Sequence, residues 1–302
     1  MARILVIGGK GFLGRRVVDA LESAEHDVAV AGRNGPVLVD LATGEGLYRM
    51  DDYDAVVNCS ASTAAPADRG MARVLERGGL WLDAGADPDA VTRQLAPRGA
   101  PARGSVVLGV GLWPGMSNLL VADLARGHQG PLSLGIKVSP LSGAGRGTVE
   151  LMRGALLGAP PAETLLFQAS LAQPVAVEYL VPAPGRLVLA LLARLRPRCL
   201  ARAFAAAATG ALRLARTVLL RRRAAPIELH ARAGDATAVL ATRDGFAATA
   251  AAIAASAGLL LERGSAPGVH TPDELLALDD VLARLPPGAV SLQRTARSRS
   301  SA

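Results

Sequence analysis

Arg3–Ile4–Leu5–Val6–Ile7–Gly8–Gly9–Lys10–Gly11–Phe12–Leu13–Gly14 is the stretch from which the rest of this chain is read. Residues 3–7 are the length and composition of a short buried parallel strand. Gly8, Gly9, Gly11 and Gly14 follow as a tight turn, and Phe12, Leu13, Val17, Val18 and Leu21 recur at helical spacing. Strand, glycine turn and helix in this order form a dinucleotide-binding fingerprint. The turn needs a left-handed backbone, the main chain must approach a pyrophosphate closely, and the helix start offers N–H groups to that anion. The expected cofactor contacts here are Gly8, Gly9, Lys10, Gly11, Phe12, Leu13 and Gly14.

A second strand is read over Asp27–Val28–Ala29–Val30–Ala31, ending in Gly32–Arg33–Asn34. An NAD site places an acidic residue at this point, to accept from the ribose 2′-hydroxyl. Arg33 stands there instead. A guanidinium suits a 2′-phosphate, so Arg33 and Asn34 predict NADP in preference to NAD; the alternative is a solvated surface arginine. Val37–Leu38–Val39 makes a third strand, and Asp40 after it is either an adenine contact or a turn residue. Ala55–Val56–Val57–Asn58–Cys59 is a fourth, with Ser60 opening a small-residue loop at the carboxyl edge where ligands sit. Asn58 and Ser60 are expected beside the nicotinamide ribose, with Cys59 between them as a small core residue rather than a nucleophile. Leu80–Trp81–Leu82–Asp83–Ala84 and Val106–Val107–Leu108–Gly109 are further strands, the first followed by Gly85 and Asp87. Pro114 is expected in the first turn of a helix running to about Arg126.

These segments resemble saccharopine dehydrogenase-like oxidoreductases. The resemblance is carried by the glycine turn, Val56–Val57–Asn58–Cys59, Trp81–Leu82–Asp83–Ala84–Gly85, and above all Gly111–Leu112–Trp113–Pro114–Gly115–Met116–Ser117–Asn118. Weaker matches occur at Gly147–Thr148 and at Gly268–Val269–His270–Thr271–Pro272. It is good over residues 1–125, modest beyond 225 and poor between about 155 and 225. It implies hydride transfer with NAD(P) at a carbon–nitrogen, carbon–oxygen or activated carbon–carbon double bond of a small or lipid-like substrate. It also implies a substrate lobe inserted after the nucleotide domain.

The fold class expected is therefore α/β: a Rossmann-type doubly wound parallel sheet with a second α+β substrate lobe. Residues 1–122 form the dinucleotide-binding domain. Residues 123–245 form a substrate or dimerisation lobe, including a hairpin around Gly234–Asp235 and a Thr148-capped helix. Residues 246–290 are helices returning to the nucleotide domain, with Thr271–Pro272–Asp273–Glu274 as a capping box, and 291–302 are a disordered tail. Candidate proton donors are Asp83, Asp87, His230 and His270, each with a bland alternative as cap, turn or satisfied surface group.

Composition narrows the partners. The chain has 302 residues, a net charge of +7, two cysteines and four scattered histidines, a pattern that gives no metal-ligand spacing and no disulfide framework. Aromatics are 3 %, which argues against a nucleic-acid stacking platform. No acidic residue occurs between Glu178 and Glu228, and ten arginines lie between Arg186 and Arg223, more than the whole charge excess. That stretch reads as an amphipathic membrane-surface pair of helices, an arginine-lined approach for an acidic substrate or carrier-bound partner, or a solvated lobe or homodimer face. Met1 leads directly into the first strand and no long uncharged apolar run exists, so a cytoplasmic protein, with membrane association only at its surface, is expected. The short-chain reductase alternative lacks its Tyr-x-x-x-Lys pair, since Tyr48, Tyr53 and Tyr179 have no lysine four residues on. The remaining rival is an NADP(H)-binding sensor or scaffold without catalysis.

Overall fold

The computed structural model describes residues 1–60, 67–128, 130–138, 160–180 and 226–295. The Thr148-capped helix, the Ser142–Gly147 loop and the arginine-rich 186–223 stretch lie outside the described residues.

The first sheet is wholly parallel. It contains β1 (Arg3–Ile7), β2 (Asp27–Gly32), β3 (Val37–Leu38), β4 (Ala55–Asn58), β5 (Leu80–Asp83), β6 (Ser105–Leu108) and β11 (Gly268–His270), in the spatial order β11-β6-β5-β4-β1-β2-β3. Its strands read as continuous apolar runs because both faces are covered. Successive side chains of β1 feed two cores. Ile4 and Val6 join Val17 and Leu21 of α1 (Phe12–Ser23), whereas Leu5 and Ile7 join Met71 and Val74 of α2 (Asp68–Arg77) and Val91 of α3 (Pro88–Leu95). The period-2 alternation of a strand assigns them. The strand order reverses at β1, which lies between β2 and β4, so the ligand crevice falls at the carboxyl ends of β1 and β4.

The second sheet is mixed, in the order β12-β10-β9-β7-β8. Its strands are β7 (Leu132–Lys137), β8 (Val175–Leu180), β9 (Ile227–Ala233), β10 (Ala236–Thr242) and β12 (Ser291–Thr295). β9 and β10 form the expected hairpin, pairing Ala233 with Ala236. Alternating residues Leu132, Leu134, Ile136, Leu229, Ala231, Ala238 and Leu240 are buried, and α4 (Ser117–Gly127) packs on this sheet. Two helices join the lobes. α5 (Ala162–Ser170) packs against α3 on one side and β8 on the other. α6 (Gly245–Arg263) lies against α1 and β5. Among the described helices α6 is the one long and apolar enough to cross a membrane, and most of its length is buried inside the fold. Asp244 starts it, its carboxylate accepting from the Phe246 and Ala247 amides at 3.1 Å each.

Four expectations are corrected. Ser291–Thr295 is not a disordered tail: it pairs antiparallel with β10, and Arg294 binds Asp123 and Asp279. Gly268–His270 is a parallel edge strand beside β6, three residues too short to show periodicity. The capping box of Thr271 and Glu274 is present, but it starts a single turn, α7 (Pro272–Leu275), and a separate α8 (Leu278–Arg284) follows. Pro114 does not open a helix; it follows a cis peptide bond in an irregular loop, with Gly115 at φ +128°, and α4 begins at Ser117.

Candidate functional site

The glycine turn tolerates no side chains, and the space itself shows why. A Cβ on Gly14 would lie 2.2 Å from the Gly8 carbonyl oxygen, and one on Gly8, at φ +79°, would lie 2.8 Å from the Ser60 amide nitrogen. A Cβ on Gly9 would lie 2.9 Å from Val30. The turn is thus pressed between α1, β2 and the loop after β4. Helix α1 has no side-chain cap and no acidic residue in its first turn. Its free N–H groups and positive dipole end are left for an anion. This bare cradle fits the pyrophosphate of a dinucleotide.

Phe12, first in α1, is 55 % exposed and meets Phe246, at the start of α6, edge to face at 4.8 Å. The Arg16 guanidinium lies over the Phe12 ring at 4.1 Å. Leu13 packs into the core below. Lys10 leaves the turn sideways and donates from Nζ to the Asn34 carbonyl at 2.8 Å. The glycine turn and the exposed Arg33–Asn34 loop after β2 are thereby joined, and two cations stand at that end of the crevice.

A second cluster ties the neighbouring strand ends together. Asp83 is 1 % exposed. Its Oδ2 accepts from Asn58 Nδ2 at 2.9 Å, Trp81 Nε1 at 3.2 Å and Gln94 Nε2 at 3.1 Å, and its Oδ1 accepts from the Gly85 amide at 2.7 Å. Burial raises the Asp83 carboxyl above its ordinary value, and these four donors pull the other way. Asn58 turns its carbonyl oxygen to the Ser60 amide and hydroxyl, at 3.1 and 2.6 Å. Burial, reinforced by the nearby Asp83 charge, pushes the Cys59 thiol up to about 12. Cys59 is therefore a neutral wall, not a nucleophile.

The expected site residues separate accordingly. The residues of the glycine turn, Arg33, Asn34, Cys59, Ser60 and Gly85 converge on the carboxyl edge of β1, β2, β4 and β5. Asn58 and Asp83 lie beneath that edge with their polar groups consumed, so they position the loop instead of touching a ribose or donating a proton. Asp40 accepts from the Ala42 amide at 2.9 Å through one carboxylate oxygen, the geometry of the turn alternative. Asp87 caps α3 through the Ala90 amide at 2.9 Å. His270, on the far edge strand, contacts the Ala266 carbonyl at 2.9 Å through Nε2. His230 belongs to the second sheet and contacts Glu228 at 2.8 Å, while Lys137 donates to the same carboxylate at 3.1 Å. Burial alone would raise Glu228; hydrogen bonds from His230 and Lys137 outweigh it and lower it. The two histidines thus sit on different sheets.

A residue not anticipated from sequence is Glu163, on α5. It is 1 % exposed, and its Oε1 has no hydrogen-bond partner. Burial pushes its carboxyl up to about 7. Its neighbours in sequence, Pro161–Ala162–Glu163, read as an ordinary acidic first helical turn, which gives no sign of burial.

Comparison with known proteins agrees with this architecture. Residues 4–73 match the NAD dependent epimerase/dehydratase family. No curated protein matches the chain. Among solved structures, saccharopine dehydrogenase (L-Glu forming) from Saccharomyces cerevisiae is similar over 98 % of this chain and 100 % of its own, with a TM-score of 0.63 and 13 % identity. The WlbA dehydrogenase from Thermus thermophilus, in a complex with NAD and UDP-GlcNAcA, aligns over 95 % of this chain and 96 % of its own at a TM-score of 0.44 and 12 % identity. Dihydrodipicolinate reductase from Paenisporosarcina sp. TG-14 aligns over 91 % of this chain and 100 % of its own at 0.42 and 10 %. The chain is built as a Rossmann-type nucleotide domain joined to a second, mixed-sheet lobe. More particularly, it has the fold of a saccharopine dehydrogenase, as the motif resemblance implied.

Proposed function

We propose that this protein is an NADP(H)-dependent oxidoreductase acting on a carbon–nitrogen, carbon–oxygen or activated carbon–carbon double bond of a small or lipid-like substrate. The observation that carries the NADP preference is the Lys10–Asn34 hydrogen bond at 2.8 Å. It brings an ammonium group from the glycine turn to the loop bearing Arg33, at the place where an NAD site has a carboxylate. Two cations there favour a 2′-phosphate. When bound, the nicotinamide supplies or accepts a hydride. The chain's own work is to seat the pyrophosphate on the bare start of α1 and to hold the Ser60 and Gly85 loops rigid through Asn58 and Asp83. Its cis-proline loop at Gly109–Met116 presents Trp113 beside the start of α6, where the ring lies 3.5 Å from the position of a Gly245 Cβ. Positioning of this kind, with exclusion of water, is what hydride transfer requires most of a protein. An acidic or carrier-bound substrate accords with the ten arginines between Arg186 and Arg223.

Titrating the purified protein with NADPH and NADH, with energy transfer from Trp81 and Trp113 as the signal, tests the reading. Tight NADPH binding with much weaker NADH binding is the expected result. NADPH oxidation in a screen of imines, ketones and enoyl compounds then separates an enzyme from a sensor, which binds the cofactor and never oxidises it. Binding of neither nucleotide would overturn the proposal.

A further inference from the structure

Helices α4 and α5 end at one cavity. Ala125 and Arg126 come from the last turn of α4, and Ser170 and Leu171 are the last residue of α5 and the residue that caps it. Asp273 and Glu274 of α7, the turn that follows β11, close a third side. The cavity measures about 550 Å³, within the range of roughly 300–1,000 Å³ that small-molecule sites occupy. Ala122 and Leu132 form its buried floor, and Arg126, Gln173 and Glu274 stand exposed at its rim. It is separate from the nucleotide crevice. β11 lies three strands from β4 in the sheet order, so its carboxyl end is about 14 Å from that crevice at the usual spacing of strands.

The charges around this cavity are unequal. A helix ends in carbonyl groups without intrahelical partners and in the negative end of its dipole, and two helices end here. Asp273 and Glu274 add two carboxyls. Glu274 is engaged: both its oxygens bind the Arg98 guanidinium, and it accepts from the Thr271 amide at 2.8 Å. Asp273 is not, since its Oδ1 is buried and has no hydrogen-bond partner. Arg126, the cation at the rim, is 55 % exposed at the side chain and pairs with Asp123 at 3.8 Å, not with Asp273. A buried polar atom without a partner calls for a functional or structural account. A carboxyl oxygen in that state, beside two helix carboxyl ends, is complementary to a cation. The floor of alanine and leucine suits hydrocarbon. A hard metal ion would take about six oxygen ligands, which this lining does not supply.

We infer that this cavity binds a small organic cation, with a primary ammonium group against Asp273 and a hydrocarbon body on Ala122, Ala125 and Leu132. α4 packs on the second sheet, and α7 follows the edge strand of the first. The ligand therefore bridges the two lobes without entering the crevice, and its binding is independent of the proposed cofactor.

The test is calorimetric titration of the full chain at low salt with n-pentylammonium chloride, n-pentanol and sodium pentanoate, probes of similar length and different charge. Saturable binding of one equivalent of the ammonium is expected, with a dissociation constant in about the millimolar range. The alcohol and the carboxylate should each bind at least about tenfold more weakly. Asp273→Asn keeps the shape and removes the charge, and should weaken the ammonium by about tenfold or more. Ala125→Leu fills the cavity from α4 and should abolish binding with the carboxyl intact, which keeps the test decisive if the first variant fails to fold. An ammonium that does not saturate, that binds no better than the alcohol or the carboxylate, or that keeps its affinity in either folded variant would overturn the inference. Saturating NADPH should leave the ammonium's affinity unchanged. Competition between them would place the probe in the crevice and overturn the separate site, with the cofactor reading intact.

Discussion

Asn58 and Asp83, the last residues of adjacent strands β4 and β5, are paired in register and joined by a side-chain hydrogen bond of 2.9 Å beneath the ligand crevice. Asp83 gathers three more donors, and Asn58 passes the constraint upward to Ser60. Asp83→Ala would strand four donors, three of them buried. Leaving buried donors unsatisfied costs about 1–3 kcal/mol each where water cannot replace the partner. A large fall in the urea midpoint is expected, with loss of NADPH binding as the Ser60 loop loosens. An Asp83→Ala protein of unchanged stability would show that the network is incidental.

Cofactor choice should follow the two cations. Arg33→Ala and Lys10→Ala are each expected to weaken NADPH binding by roughly tenfold or more, corresponding to about 1.4 kcal/mol or above, and to leave NADH nearly unaffected. Arg33→Asp should go further and favour NADH, by accepting from the 2′-hydroxyl and repelling a phosphate. Parallel titrations with the two nucleotides measure this directly.

Two glycines should behave oppositely. Gly14→Ala places a methyl 2.2 Å from a backbone oxygen that has nowhere to go, so a loss of at least about 1–3 kcal/mol and of nucleotide binding is expected. Gly127→Ala, at the end of α4 with nothing within 4 Å, should be neutral or stabilising by up to about 1 kcal/mol. Denaturant midpoints of the pair, measured side by side, check the contrast.

Stability should carry a signature of Glu163. Its folded-state value of about 7 lies above its ordinary value of 4.5 because burial disfavours the carboxylate. Between those values the folded state keeps the proton and the unfolded state does not, so this group's contribution is full below pH 4.5 and falls as pH rises through 7. The shift corresponds to about 3 kcal/mol. Glu163→Gln should therefore gain stability relative to the parent as pH rises from 5 to 8. Unfolding curves at those two pH values that move in parallel would refute it.

The carboxyl-terminal strand should matter as backbone more than as charge. Arg294 is 42 % exposed at the side chain, so Arg294→Ala is expected to cost less than about 1 kcal/mol despite its two carboxylate partners. Deleting the chain from Ser291 onward bares the edge of β10. A loss of solubility is expected, because an unpaired edge recruits other strands. Light scattering of the two variants distinguishes the effects.

The sequence by itself determined the local order of this protein. Continuous apolar runs separated by glycine turns and helical spacing were enough to place β1, β2, β4, β5 and β6, the glycine cradle, and the β9–β10 hairpin, because those signals depend only on near neighbours along the chain. The arginine in place of an acid after β2 was equally visible. Only the tertiary structure decided which polar groups remain free. Asp83 looked like a candidate acid until strands β4 and β5 and helix α3 brought it four donors, and Glu163 carried no mark of burial in the sequence although α5 holds it 1 % exposed. β11 and β12 were illegible for a related reason: short edge strands are specified by the backbone edge that receives them, which lies fifty residues or more away in the chain. Burial and partnership are sums over contacts distant in sequence, and they set both the protonation of a carboxyl and the pairing of an edge.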